Sequence, residues 1–379
     1  MLASVANAER VGVQTRVQSI DILRGAIMIV MALDHVRDFW HSAAQQFSPT
    51  DLTRTTTVLF FTRWITHFCA PVFMFTAGLG AFLFARGRTT RELSRFLWTR
   101  GLWLIILELG VVQLGLLFRH AYNPVILNVL WALGWSMIAL ALLVRLPFGA
   151  IVAVSVAMIA LHDLADGVKA VQFGRFAPLW NVLHQQAAFQ LDGVTIVAAY
   201  PLIPWIGVMA AGYCLGRVFL FEAERRKRLL VQLGLALTLA FVVVRAINVY
   251  GDPAPWSAQS SAVFTVLSFL NCSKYPPSLE FLLMTLGPAL LCMGLVERVR
   301  LSAANPLLVF GRTPLFYFVI HLYLAHASAS VYRRIHPAGG VDLAGVYVVW
   351  IVLVIVMYPL CRWYAGVKQR RKDWWLSYL

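Results

Sequence analysis

Ten stretches of about twenty mostly apolar residues follow one another along the 379-residue chain, and they decide the fold class. About 20 such residues are the length of a helix that crosses a bilayer. The runs fall at roughly 19–40, 58–84, 97–118, 124–144, 148–165, 198–220, 229–249, 277–296, 305–330 and 342–362. A further segment, 258–271, is apolar but short, reads as re-entrant or interfacial, and leaves the count at ten or eleven. The chain is 60% hydrophobic and 13% charged, where soluble domains carry about 25% charged residues. So much apolar surface does not fit inside one core. The expected fold is all-α: a polytopic helical bundle with the lipid bilayer as its first partner.

The net charge of +15 could suggest nucleic acid, but the placement of the basic residues argues against it. They cluster in short segments beside the apolar runs, where Lys and Arg set orientation. RGRTTRELSRFLWTR (86–100) holds five arginines, EAERRKR (222–228) four basic residues, and RWYAGVKQRRKDWW (362–375) five. With ten spans all three fall on one side, together with Arg10 and Arg16. That side is expected to be cytoplasmic, with both termini on it. The division expected is a tail over 1–18, one transmembrane domain over 19–362 and a basic tail over 363–379. Residues 1–18 are polar and lack the apolar run of a cleavable signal peptide.

All nine histidines fall in the other half: His35, His41, His67, His120, His162, His184, His321, His326 and His336. This bias points to proton chemistry or polar-ligand binding on the non-cytoplasmic face. The first span carries the sharpest pattern, LRGAIMIVMALDHVRDFW (23–40). Arg24 and His35 are eleven residues apart, so they share a helix face about 16 Å apart along the axis. Asp34 and Asp38 are the carboxylates in reach of His35 and are expected to orient it. Arg37, Asp38 and Trp40 read equally well as an interfacial cap. Arg63 and His67 stand one turn apart on the second span. Arg312 and His321 repeat the pattern of a cation low and a histidine high. Glu108 lies mid-span with no charge near it in sequence and needs a partner or a proton. Cys69, Cys214, Cys272, Cys292 and Cys361 read as small buried hydrophobes rather than a disulfide framework. GYCLG (212–216) has small residues spaced for close helix packing. No HExxH and no ligand-spaced cysteine pair is present, so no metal is expected.

A cation at one end and a histidine at the other suit an enzyme with a long, phosphate-tailed donor. Acetyl-CoA fits: its phosphates need arginine, its pantetheine arm reaches far, and acyl transfer needs a base such as histidine. A proton-coupled transporter or flippase for a small anion or lipid-linked sugar uses similar residues. Against it, no repeated halves or paired broken helices are visible.

The stretch Arg24 to His35 resembles the Arg-x10-His pattern of membrane acyltransferases that acetylate surface sugars. More closely, SIDILRGAIMIVMALDHVRDFW, ITHFCAPVFMFTAGLGAFLF, YPLIPWIGVMAAGYCLG, KYPPSLEFLLMTLGPALL and GRTPLFYFVIHLYLAH are together similar to bacterial members of the heparan-α-glucosaminide N-acetyltransferase-like family. The resemblance runs from about residue 17 to the last span. It implies a multi-pass protein of the bacterial inner membrane that moves an acetyl group from cytosolic acetyl-CoA to an amino or hydroxyl group of a sugar on the far side. It further implies that Arg24 meets the cofactor and His35 acts as base. In the lysosomal branch the catalytic histidine lies in the loop after the first span, where His41 is the nearest candidate, so His35 and His41 both stand. The expected catalytic set is His35, Asp34, Asp38, His41, His67 and His321, with Arg24, Arg63 and Arg312 towards the cofactor. The acceptor, the acyl group and the oligomeric state, a homodimer included, stay open.

Overall fold

A computed structural model of the chain describes residues 17–44, 46–118, 123–336, 339–371 and 373. His120, Arg10, Arg16, nearly all of the expected N-terminal tail and the end of the expected C-terminal one lie outside the described residues.

Each of the ten expected spans has a helix in its place. In chain order these are α1 (Gln18–Trp40), α2 (Thr57–Thr66) with α3 (Cys69–Ala85), α4 (Thr90–Leu107) with α5 (Gln113–Leu117), α6 (Val129–Leu143) and α7 (Phe148–Ala160). After the short α8 (Ala177–Leu183) come α9 (Leu202–Leu215), α10 (Ala223–Ile247), α11 (Ala262–Leu270), α12 (Leu279–Leu295), α13 (Pro306–Arg312), α14 (Pro314–Ile335) and α15 (Leu343–Arg370). Among the described residues, six helical stretches are long and apolar enough to cross a membrane: 57–85, 90–117, 202–220, 223–247, 314–335 and 343–370. α6, α7 and α12 are apolar but shorter. α1 has the length, at 23 residues, but carries Asp21, Arg24, Asp34, Arg37 and Asp38. The protein is a polytopic helical membrane protein.

α1 is the hub. It packs against α13, α14, α15, α3, α2 and α12, and its buried residues include Leu23, Ile27, Met28, Met31, Ala32 and Val36. A second layer follows: α3 on α9, α9 on α6 and α7, α4 on α6, and α10 on α12. The α3–α9 contact rests on Gly78 and Gly212. A Cβ on Gly78 would sit 1.9 Å from the Met209 carbonyl oxygen, and one on Gly212 2.0 Å from that of Phe75. GYCLG therefore packs backbone on backbone.

Several boundaries differ from those expected, each for a local reason. The expected second span is broken at His67 and Phe68 between α2 and α3. Pro71 has no N–H to donate to the His67 carbonyl four residues back. The ninth is broken between α13 and α14, where Pro314 opens the second helix. The basic segment expected as a tail from 363 continues α15 to Arg370. Segment 258–271 becomes α11, nine residues long and about 13 Å, too short to cross.

A small sheet was not anticipated. β1 (Val125–Leu127), β2 (Ala187–Leu191) and β3 (Val194–Ala198) lie in the order β1-β3-β2. β2 and β3 form an antiparallel hairpin with Leu191 opposite Val194, turning through Asp192 (φ 48°) and Gly193 (φ 81°). Two positive φ values are what an Asp-Gly hairpin turn supplies. β1 runs parallel to β3 with Leu127 opposite Ala198, so the next residues of both chains leave the sheet at the same end.

Polar contacts tie α1 down near both ends and at its middle. Ser19 Oγ donates to Glu297 Oε2 (2.6 Å), and Arg226 of the basic 222–228 segment donates to Oε1 of the same carboxylate. Trp350 Nε1 donates to the Ile29 carbonyl (2.8 Å) and Trp40 Nε1 to that of Ala325 (3.2 Å).

Candidate active site

A cavity of about 350 Å³ runs along one face of α1. Its lining includes Arg24, Met28, Met31, Asp34 and His35, so it follows the helix for the three turns that separate Arg24 from His35. α3 supplies Phe73, Thr76 and Gly80; α4 supplies Phe96, Leu97, Arg100 and Leu104; α6 supplies Leu133 and Met137. The middle is apolar and the ends are polar. Such a chamber suits a long ligand with an apolar or flexible stem.

At one end stand Arg24 and Arg100. Arg24 Nε donates to Thr76 Oγ1 (3.1 Å) and Nη2 to the Thr76 carbonyl (2.5 Å), which fixes the guanidinium against α3. Gly80 leaves it room: a Cβ there would lie 3.3 Å from Nη2. Arg100 comes from the arginine-rich 86–100 segment, which is helical from Thr90 onward after a capping box of Thr89 and Glu92. That early start places Arg100 on the cavity wall instead of in a loop.

The other end holds Asp34, His35, Asn128, Tyr200 and Lys274. Asn128 follows β1 and Tyr200 follows β3, so the parallel pairing of those strands delivers both to the cavity. His35 Nδ1 lies 2.7 Å from His321 Nε2, with the rings stacked 9° from parallel. His321 Nδ1 lies 2.8 Å from the Tyr317 carbonyl, which only accepts, so Nδ1 carries the proton. For a neutral His321, Nε2 is then an acceptor and His35 Nδ1 donates to it. The lone pair of His35 is thereby placed on Nε2, which has no hydrogen-bond partner among the described residues. An imidazole held in one tautomer, with its other nitrogen open to a cavity, is the arrangement a general base requires.

The expected site residues divide into three groups. Arg24, Asp34 and His35 line the cavity, and His321 backs it through His35. Arg63 stands one layer behind. Its Nη1 donates to Asp34 Oδ1 (2.7 Å) and Oδ2 (2.8 Å), where Thr66 Oγ1 (2.8 Å) and Arg37 Nη2 (2.8 Å) also converge. Arg63 therefore anchors Asp34 and does not line the cavity. His67 is buried at the α2–α3 break, its ring 5.3 Å from that of Phe281, and it too lies off the cavity wall.

The remaining residues stand elsewhere. The carboxylates expected to orient His35 do not bond its ring: Asp34 is taken up by arginines, and Asp38 is half exposed and paired with Arg37 at 2.6 Å. An imidazole, His321, occupies that role. Arg312 is turned to Asp21 at 3.6 Å, at the start of α1, and is absent from the cavity lining. His41 follows the end of α1, its backbone bridged to Val341, and is also absent from the lining. Burial and the Arg37 charge lower the His41 pKa.

Glu108 has a partner, though not a charged one. It opens a π-helical turn (Glu108–Val112), and its Oε2 accepts from the Leu130 N–H (2.8 Å) at the start of α6. It caps a helix. Gln113 in turn receives the Ile126 N–H (3.2 Å) and holds β1 in place.

Sequence reasoning missed Arg100, Asn128, Tyr200 and Lys274. Arg100 was counted only for its charge. Tyr200 and Lys274 open two of the blocks that carry the resemblance, YPLIPWIGVMAAGYCLG and KYPPSLEFLLMTLGPALL, and nothing in their spacing ties either residue to the first span.

No curated protein matches the sequence. Residues 16–250, more than half of the chain, match the family described as heparan-alpha-glucosaminide N-acetyltransferase, catalytic. The matched region contains Arg24, His35, Arg63, Arg100 and Tyr200, and stops short of Lys274 and His321. The chain belongs to the heparan-alpha-glucosaminide N-acetyltransferase catalytic family, and with it to the membrane acyltransferases.

Proposed function

We propose that the protein transfers an acetyl group from acetyl-CoA to an amino or hydroxyl group of a sugar, using the cavity along α1 as the donor channel. One observation carries the reading: a single cavity joins two arginines to a tautomer-fixed imidazole, with an apolar wall between them. Arg24 and Arg100 grip the nucleotide phosphates. The pantetheine arm lies along Met28, Met31 and Leu104. The thioester then reaches the His35 end, where the sugar meets it.

His35 Nε2 takes the proton from the attacking amine or hydroxyl, and His321 holds the ring and shares the charge that forms. Asp34, fixed by Arg63, Arg37 and Thr66, adds a negative charge beside the imidazolium. His35 lines the cavity and His41 does not, which favours His35 as the base. The clustering of Lys and Arg near residues 86–100 and 222–228 favours a cytosolic Arg24 end and a sugar on the far side of a bacterial inner membrane. The chemistry uses no metal.

The test is transfer itself. Purified protein in liposomes is given acetyl-labelled acetyl-CoA and glucosamine, and labelled N-acetylglucosamine is measured. Wild type forms product and His35→Ala does not. Product formation undiminished in His35→Ala would remove the histidine, and product from neither would remove the enzyme.

A further inference from the structure

We propose that Lys274 is a further catalytic residue, whose ammonium group receives the oxyanion that forms on the thioester carbonyl. The inference rests on the acyl-transfer reading above and adds to it the group that meets the developing negative charge.

Lys274 is 9% exposed, and it lines the same end of the cavity as Asp34, His35 and Tyr200. A buried lysine needs a reason. Pairing with Asp34 is not that reason. Asp34 Oδ1 already receives Arg63, Arg37 and Thr66, and Oδ2 receives Arg63. Among the described residues, Lys274 makes no ion pair. Asp34 and Asp38 are thus matched by Arg63 and Arg37, and Lys274 is a further cation beside them on the cavity wall. The surplus positive charge belongs to Lys274, and it sits on the cavity wall. A desolvated cation with no resting counter-ion stabilises negative charge when that charge appears.

The backbone that carries Lys274 is fixed. Lys274 bridges to Pro277, and Asp252 pins the loop by accepting from the Ser273 N–H (2.7 Å) and Ser278 Oγ (2.6 Å). The Leu279 N–H is held by Asp163 Oδ2 (2.9 Å). The ammonium itself lies 5.1 Å from the centre of the Tyr275 ring, whose hydroxyl donates to Tyr200 at 3.4 Å. A donor set in advance costs no reorganisation during the reaction.

The step balances. The acceptor nitrogen or oxygen bonds to the carbonyl carbon as its proton passes to His35 Nε2. The carbonyl π pair moves onto oxygen beside Lys274. On collapse that pair re-forms the carbonyl, the C–S bond breaks, and the CoA sulfur leaves with the bonding electrons and takes the proton back from His35.

The experiment is steady-state CoA release with two acceptors, glucosamine and a glucosamine disaccharide bearing a glucuronate. Lys274→Met and Lys274→Arg are compared with wild type, and acetyl-CoA affinity by calorimetry shows that each variant folds. The expected result is a fall in kcat of about 10²–10³-fold in Lys274→Met for both acceptors. KM changes by less than about twofold, acetyl-CoA affinity is unchanged, and Lys274→Arg recovers roughly tenfold or more. A kcat in Lys274→Met within about threefold of wild type overturns the assignment. So does a KM rise confined to the glucuronate acceptor, which would make Lys274 a binding group for an anionic sugar. Absence of transfer by wild type to either sugar overturns the acyl-transfer reading and the inference with it.

Discussion

His35 Nδ1 and His321 Nε2 are 2.7 Å apart across the α1–α14 contact, with the second ring tied by its own Nδ1 to the Tyr317 carbonyl. A carboxylate in that position would carry a fixed charge. A neutral imidazole adds none, and passes the orientation of a backbone carbonyl on to the base.

The His35–His321 relationship makes a graded prediction. His35→Ala should lower kcat by about 10³-fold or more, in the range lost with a general base. His321→Ala should cost less, with KM for acetyl-CoA unchanged. His321→Gln keeps an acceptor for the His35 N–H and should recover part of the loss, which steady-state kinetics on the three variants would show. Equal activity in His321→Ala and His321→Gln would mean that the ring only fills space.

The Arg63–Asp34 pair sits 15% and 14% exposed and anchors α1 to α2. Removing one partner of such a pair leaves a buried charge and costs about 3–5 kcal/mol. Arg63→Ala should therefore lower the thermal midpoint in detergent markedly. Arg63→Ala with Asp34→Asn should lower it less than Arg63→Ala alone. A wild-type midpoint in Arg63→Ala would show that Arg37 suffices for Asp34.

Glu108 caps α6 through the Leu130 N–H. Glu108→Gln keeps an acceptor oxygen and should melt close to wild type. Glu108→Ala should lose about 1 kcal/mol, the usual cost of a lost cap. If Gln proved as damaging as Ala, the negative charge and not the cap would be what the site needs.

Asp163 and His162 follow the end of α7, and burial acts on both. It pushes the Asp163 carboxyl up to about 7, against the opposing Leu279 N–H, and lowers His162 to about 4. A raised carboxyl favours the fold fully below its ordinary value of 3.8, and that contribution is lost as pH rises through 7. A lowered histidine favours the fold above 6.5, and that contribution is lost as pH falls through 4. The two slopes oppose each other between about pH 4 and 6.5. Asp163→Asn removes the first, so its midpoint relative to wild type should be more favourable at pH 8 than at pH 4. A difference independent of pH, followed by calorimetry, would mean that Asp163 is ionised throughout.

The sequence carried the fold because membrane crossing is a local property: about twenty apolar residues suffice to mark a span, wherever its neighbours lie. Arg24 and His35 were legible for the same reason, since eleven residues of one helix fix their relative positions. What the sequence did not show was much of what is set by packing between elements. Arg312 repeats the Arg24 pattern within its own span, yet the break at Thr313 and Pro314 leaves it on Asp21. Lys274 and Tyr200 lie 74 residues apart and meet only because a hairpin and a proline-rich loop deliver them to one wall. The hairpin turn is marked by Asp192-Gly193, inside the long connection between the expected spans 148–165 and 198–220.

The central claim is that the cavity along α1 holds acetyl-CoA with its phosphates at Arg24 and Arg100. Calorimetric titration of acetyl-CoA into purified wild type, Arg24→Ala, Arg100→Ala and His35→Ala tests it directly. The account predicts micromolar binding by wild type and His35→Ala, and affinity weakened about tenfold or more in each arginine variant. No binding of acetyl-CoA or CoA by folded wild-type protein, or equal binding by all four, would contradict it.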